Sequence, residues 1–141
     1  MSQIYATYLA KFLHMEGVHE FLLTLLKDAS LFDWQKIWVL AALSQVTTAG
    51  DKAVKAALDL LRDASRHDAL RAVAATYVGR FGDHTRRKAL ISIHRSVSSY
   101  VQVAIYYSSR NWPGPERSNA KANWGGHGPL QSLLTAAMSK K

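Results

Sequence analysis

The sequence predicts an all-α fold, a solenoid of antiparallel helical hairpins closed by a C-terminal capping helix. Apolar residues recur at helical spacing along nearly all of the 141 residues, and no segment bounded by turn residues alternates convincingly as a strand does. In addition, the segment 25–33 (LLKDASLFD) returns 35 residues later as 60–68 (LLRDASRHD). A repeat of this length is typical of stacked supersecondary units that bury their apolar faces against each other.

Eight amphipathic stripes give the predicted helices in order. Each begins behind a residue that favours a helix N-terminus or ends the preceding element. The predicted starts are Ser2, Gly17, Asp33, the turn 47–51, Asp68, Asp83 and Ser98 or Ser99, and a last helix covers 130–138.

The segment after Asn111 has a different character. Residues 112–119 contain two of the three prolines, and this predicts an irregular segment rather than a regular helix. A glycine-rich stretch follows, and Pro129 suits the first turn of the final helix. We expect that helix to close the open end of the array, with Trp112 and Trp124 packed over it.

We interpret the chain as one helical-repeat domain over 1–141. Because short links favour antiparallel neighbours, the third predicted helix pairs with the fourth and the fifth with the sixth, while the seventh opens a further unit. The predicted divisions are an N-terminal helix pair (1–30), two repeats (31–65 and 66–97), and a degenerate repeat with the Pro/Gly loop and the capping helix (98–141).

Each full repeat opens with the pattern Asp-x-x-Lys/Arg before a helix rich in small residues. This pattern resembles HEAT-like repeats over about residues 18–110. The resemblance implies a ladder in which the base of one repeat reaches the aspartate of its neighbour, and each aspartate can also cap its own helix. The ladder residues would be Asp33, Lys36, Asp68 and Arg71, and in the degenerate repeat Gln102 replaces the base.

The composition indicates which cellular compartment suits the protein. The chain has no cysteine, which excludes disulfides and thiolate metal sites and favours a reducing environment. Its first residues lack the basic and apolar regions of a secretory signal, and no stretch approaches the ~18 uncharged apolar residues of a spanning helix. We expect a soluble cytoplasmic protein with no membrane partner.

No motif for catalysis or for a cofactor is present. The six histidines lack metal-ligand spacing, since His14 and His19 are separated by Gly17 and His84 and His94 have no carboxylate between them. There is no P-loop and no Gly-x-Ser-x-Gly elbow. We expect a non-catalytic binding protein without metal or cofactor.

Positive charge is concentrated in the second half. The net charge is +8, and residues 66–141 hold twelve Lys/Arg against three Asp/Glu. Cations track phosphates and exposed aromatic rings stack on bases, so this composition favours single-stranded nucleic acid. The candidate residues are Arg80, Arg86, Arg87, Lys88, Arg95, Arg110, Arg117 and Lys121, near Tyr106, Trp112 and Trp124. The alternative is a solvated helix face with its tryptophans in the core.

Two segments, 95–107 and 121–127, carry a second resemblance. They are similar to the C-terminal helical region of some bacterial RNA-directed DNA polymerases, including retron-like and phage-defence types. This chain lacks their Tyr-x-Asp-Asp motif and palm strands. The resemblance implies an accessory part that contacts RNA, single-stranded DNA or the polymerase domain. The alternative is a HEAT-like adaptor with no nucleic-acid role, which holds a peptide or protein partner on a face lined by second helices.

Overall fold

A computed structural model of the protein describes residues 17–46 and 50–124, with side chains described up to 121. Within these residues there is no strand, so the all-α prediction is confirmed. The predicted helix over 4–13, the turn residues 47–49, the Trp124 side chain and the segment 125–141 with its capping helix lie outside the described part. The helices are α1 (Val18–Lys27), α2 (Asp33–Leu43), α3 (Gly50–Arg62), α4 (Asp68–Phe81), α5 (His84–Ile93), α6 (Ser99–Ser108) and α7 (Gly114–Trp124), with 3₁₀ turns at His94–Ser96 and Ser109–Asn111.

Helix α4 is the centre of the structure. It packs against α2, α3, α5 and α6, while α1 packs against α2 and α3. Its inner face is fully buried at Leu70, Ala74 and Val78, against equally buried residues such as Leu61 of α3 and Val101 of α6. Burying one such leucine or valine stabilises the fold by about 1.5–3 kcal/mol, so this face supplies much of the core.

The helices pair in a frame shifted by one helix from the predicted frame. Helix α1 forms a hairpin with α2, and α3 forms one with α4, while α2, α4 and α6 pack in a row. The repeated segment is therefore the turn inside each hairpin, whereas the sequence pattern predicts it as the junction between hairpins.

The two copies of the repeated loop have the same local structure. Asp28 Oδ1 accepts from the Ser30 backbone N–H at 2.9 Å and from its hydroxyl at 2.7 Å. Asp63 Oδ1 accepts from Ser65 in the same way, at 3.0 and 2.6 Å. The serine hydroxyl, followed by the backbone N–H, lowers the pKa of each aspartate. Such side-chain turns compete with the helix and end it at this point.

A buried polar side chain closes each hairpin. Lys36 Nζ donates to Leu26 O at 2.8 Å, and Arg71 Nε donates to Leu61 O at 2.8 Å. In the third pair Gln102 Nε2 donates to the carbonyl oxygen of His94 at 2.8 Å. The acceptors lie at or beyond the C-terminal end of the preceding helix, where carbonyls lack intrahelical donors and carry partial negative charge. Lys36 and Arg71 thus take backbone carbonyls as partners, instead of the aspartates that the predicted ladder assigns to them.

Asp33 instead connects successive hairpins. Its carboxylate accepts from Arg66 Nη1 at 3.0 Å and from the His67 backbone N–H at 2.7 Å, and the latter bond lowers the pKa of Asp33. A second link joins Asp51 of α3 to Arg86 of α5 at 3.0 Å. Among the described residues, ion pairs of aspartates thus link successive hairpins, but their cations are arginines outside the Asp-x-x-Lys/Arg pattern.

The predicted caps are met at two helices and differ at two. Asp83 accepts from the Arg86 N–H at 3.0 Å and Ser98 from the Val101 N–H at 3.4 Å, as predicted. Asp68 is the first residue of α4, and the helix is capped by the ring Nδ1 of His67, which accepts from the Ala69 N–H at 3.0 Å.

At α2 the Gln35 side chain accepts from the Phe32 N–H at 2.8 Å. The Asp33 carboxylate is thereby left for the link between hairpins.

The prediction of an irregular segment over 112–119 is wrong from residue 114 onward. Helix α7 starts at Gly114, and its first backbone bond runs from the Arg117 N–H to Pro113 O at 2.9 Å. Pro115 lies in the first turn, where a helix needs no N–H donor. Trp112 is buried and donates through Nε1 to Gly79 O at 2.9 Å, which fixes the start of α7 on α4.

The Lys36→Met substitution tests the buried donor. It removes a hydrogen bond from a charged group and leaves Leu26 O unpaired. We expect this cost to exceed the gain from no longer burying a charged ammonium group. We expect the free energy of unfolding to fall by about 1–3 kcal/mol in urea titrations followed by circular dichroism. Lys55→Met, on the exposed side of α3, is the matched control and should change it by less than about 0.5 kcal/mol. An equal or higher stability of Lys36→Met would contradict the role given to this bond.

The Gly79→Ala substitution tests the close approach of α4 and α6. A Cβ at Gly79 would lie 2.5 Å from Ser108 Cβ, so we expect a loss of about 1–3 kcal/mol in thermal or urea unfolding. Without that contact, alanine in a helix interior would gain about 0.5–1 kcal/mol.

Adding Ser108→Gly makes room and should restore part of the loss. Gly114→Ala has no neighbouring atom within 4 Å and serves as the neutral control. A stable Gly79→Ala single variant would show that the two helices are farther apart.

Candidate nucleic-acid interface and apolar groove

Two of the predicted nucleic-acid residues are engaged in ion pairs inside the protein. Arg86 binds Asp51 through Nη2 and Nε at 3.0 and 3.2 Å. Arg87 donates from Nη2 to Glu116 at 2.9 Å and from Nη1 to Gly82 O at 2.8 Å. Both guanidinium groups thus hold helices together. Substituting them would perturb the fold, so a loss of binding in such variants would not identify a ligand contact.

Glu116 fastens α7 to α5. Its carboxylate accepts from Nε and Nη2 of Arg87 and also contacts Nδ1 of His84. The hydrogen bond from Arg87, assisted by the contact with His84, lowers the pKa of Glu116 to about 2. The carboxylate therefore stays ionised well into the acid range.

Four other predicted residues are exposed cations, and we call them the cationic region: Lys88, Arg95, Arg117 and Lys121. Lys88 and Arg95 line a cleft of about 310 Å³ together with Ser92, and α7 contributes Asn119. Arg117 and Lys121 lie one turn apart on α7. Within the described residues none of the four forms an ion pair.

The charge balance around this region is one-sided. Between residues 84 and 121 the sequence holds seven Lys/Arg and a single Asp/Glu, Glu116. Glu116 is neutralised by Arg87, and the pair of Arg86 uses Asp51 from α3. The cationic region and Arg110 therefore produce a positive potential over α5, α6 and α7, which Asp83 at the N-terminus of α5 offsets only in part.

The aromatic residues predicted to accompany these cations are largely core residues. Tyr106 and Trp112 are both buried, so neither offers a free ring face to a base. The structure instead pairs cations with other rings: Arg110 Cζ lies 5.3 Å from the Tyr107 ring centre, and Arg80 Cζ lies 4.8 Å from that of Phe81. Arg80 and Arg110 thus lie on aromatic rings, and both of these rings line another surface.

That surface is an apolar groove of about 530 Å³ across the row α2, α4 and α6. Its floor carries small or short side chains such as Ala41, Val73, Thr76 and Ala104. A second cleft, of about 320 Å³, adjoins it beside Trp112 and shares Thr76, Arg80 and Tyr107 with it. The two clefts therefore meet at these three residues.

Sequence reasoning missed the aromatic residues of this groove. Tyr100, Tyr107 and Phe81 line it and are 62%, 38% and 36% exposed. The available signal is a second stripe on α6, because Tyr100, Val103, Ala104 and Tyr107 follow i, i+3, i+4 and i+7 while the inner stripe already supplies the core.

Within the described part of the chain, no three His, Asp or Glu side chains are grouped so that they could hold a metal ion. In the same residues, no helix has both the length and the apolar character needed to cross a bilayer.

The Glu116→Gln substitution tests the docking of α7. Since the folded-state pKa of Glu116 lies below its ordinary value of 4.5, its ion pair stabilises the fold above that value and the stabilisation disappears as the pH falls toward about 2. We expect the variant to be less stable than the parent at about pH 7 and equal to it near pH 2, measured by urea unfolding. Glu20→Gln on the exposed side of α1 provides the same chemical change without this contact. A pH-independent difference would rule out the ion pair as its cause.

Comparison with protein-family models, with curated proteins and with solved structures finds no match for this chain.

Proposed function

We propose that this chain is a non-catalytic, HEAT-like solenoid that binds nucleic acid through the cationic region. The repeat assignment is supported by devices that recur at the same sequence interval: the Asp–Ser loop and the buried donor to a helix-end carbonyl. Both appear in α1–α2 and again in α3–α4. A similar donor, Gln102, stands in the third pair.

The unpaired charge of the cationic region carries the functional proposal. An isolated exposed cation is ordinary, but four of them on α5, its 3₁₀ extension and α7 coincide with the absence of any free carboxylate between residues 84 and 121. When such cationic side chains neutralise the phosphates of a nucleic acid, the counterions condensed on it are released, which favours binding. A polyanion is therefore the ligand whose affinity increases most with this arrangement. Lys88 and Arg95, in one cleft, are the first residues that we assign to phosphate contacts.

We further propose that the chain serves as the accessory region of a bacterial RNA-directed DNA polymerase. The resemblance over 95–107 and 121–127 supports this context. In the described part, residues 99–107 form most of α6, and 121–124 end α7. In this setting the module contacts RNA or single-stranded DNA, or the polymerase domain that handles it.

Salt-dependent binding tests the proposal. The probe is a fluorescein-labelled single-stranded RNA of about 20 nucleotides, with single-stranded DNA of the same sequence in parallel, titrated by anisotropy at several salt concentrations. We expect log Kd to rise linearly with log salt, at about 0.7 per neutralised phosphate. Absence of binding at low salt, or affinity that does not depend on salt, would overturn the proposal and favour the adaptor.

A charge-matched pair of variants localises the contact. Replacing Lys88, Arg95, Arg117 and Lys121 with glutamine should reduce the salt slope by up to about three and weaken binding at low salt. The control replaces four exposed cations of α1 and α3, Lys27, Lys52, Lys55 and Arg62, and has the same net charge. If both variants weaken binding equally, the contact depends on net charge alone and the cationic region is not the site.

A further inference from the structure

We infer that the apolar groove across α2, α4 and α6 binds an acidic amphipathic segment of a partner protein. This inference goes beyond the proposed nucleic-acid role and uses a different surface. It follows from an apolar floor, exposed aromatic walls and a cation, Arg80, at the junction of the groove with the cleft beside Trp112.

The shape of the groove suits side chains rather than a flat contact. Short residues of the central helix α4, Val73 and Thr76, form a depression between α2 and α6. Tyr100 and Tyr107 flank it on α6, two turns apart and on one helix face. Exposed aromatic rings next to a pocket of about 530 Å³ are the kind of anchor that concentrates binding energy at protein interfaces.

The charge of the depression selects the sign of the partner. Arg80 is exposed and lines both clefts. Among the described residues it forms no ion pair, and no Asp or Glu of that part of the chain lines either cleft. Arg110 lies on the ring of Tyr107, so a second cation stands close to the same end. A segment with apolar side chains on one face and a carboxylate near Arg80 is therefore complementary to this surface.

The groove is poorly suited to a nucleic-acid strand. A strand presents a phosphate at each nucleotide and needs several cations along its path. Of the described residues that line the larger cleft, Arg80 is the only charged one, and no member of the cationic region lines it. The two surfaces share no residue, so each can be tested without disturbing the other.

Selection from a phage-displayed library tests the inference. The library holds random peptides of about 16 residues, roughly four helical turns, and is selected on the whole immobilised chain. We expect enriched sequences with apolar residues at i, i+3 or i+4, and i+7, together with at least one Asp or Glu. No enrichment, or enrichment of basic sequences, would overturn the inference.

Variants then place the enriched peptides in the groove. Arg80→Glu and Tyr100→Ala should each weaken binding of a synthetic enriched peptide by about tenfold or more. Arg62→Glu, an exposed charge reversal on α3, should leave the affinity unchanged. Reversing the peptide carboxylate to arginine should restore binding to Arg80→Glu, an effect that misfolding of the variant would not produce.

The single-stranded RNA described above separates this inference from the proposed function. Arg80→Glu should change RNA affinity no more than Arg62→Glu does. If Arg80→Glu abolishes RNA binding and leaves peptide binding intact, the groove belongs to the nucleic acid. If peptides bind and RNA does not, the groove assignment stands while the nucleic-acid proposal fails.

Discussion

The fold depends on hydrogen-bond donors for the backbone carbonyl groups at the ends of its helices. In each hairpin a buried side chain, Lys36, Arg71 or Gln102, donates to a carbonyl oxygen at or beyond the end of the preceding helix. These carbonyls would otherwise be buried without donors, at a cost of about 1–3 kcal/mol each. Because the donor lies on the second helix of the pair, the same bond that satisfies the carbonyl also fixes how the two helices meet. These bonds thereby fix the arrangement of helices in which the buried face of α4 packs.

Helical periodicity was sufficient to predict where most described helices lie, because one apolar stripe per helix is a strong local signal. It did not predict which helices pair. The links before and after α2 are of similar length, so loop length does not favour either neighbour. The pairing of α2 with α1 depends on packing and on long-range bonds such as that from Lys36 to Leu26 O. The start of α7 was missed for a local reason, since Pro115 breaks a helix only beyond its first turn.

The candidate surfaces were predictable to different degrees. Lys88, Arg95, Arg117 and Lys121 follow from charge counting, and the structure leaves them exposed. Charge counting alone does not distinguish them from Arg86 and Arg87, whose partners Asp51 and Glu116 are 35 and 29 residues away. The groove could not be predicted from single stripes, because it exists only where three helices lie side by side. Tyr100 and Tyr107 form walls of the groove only because α6 packs in one row with α2 and α4.

The central position of α4 has a consequence for the order of folding. Helix α4 packs extensively against α6 and against its chain neighbour α3, and the α3–α4 contact closes a link of only residues 63–67, whose entropic cost is small. We therefore expect the α3–α4 hairpin to form early and α2 and α6 to pack onto it afterwards. Helix α7 lies at the opposite extreme. It is held by the hydrogen bond of Trp112 just before its start, by the carboxylate of Glu116 and by the buried Ala120, with little packing against α6. Among the described helices we therefore expect it to lose its protection early in native-state hydrogen exchange.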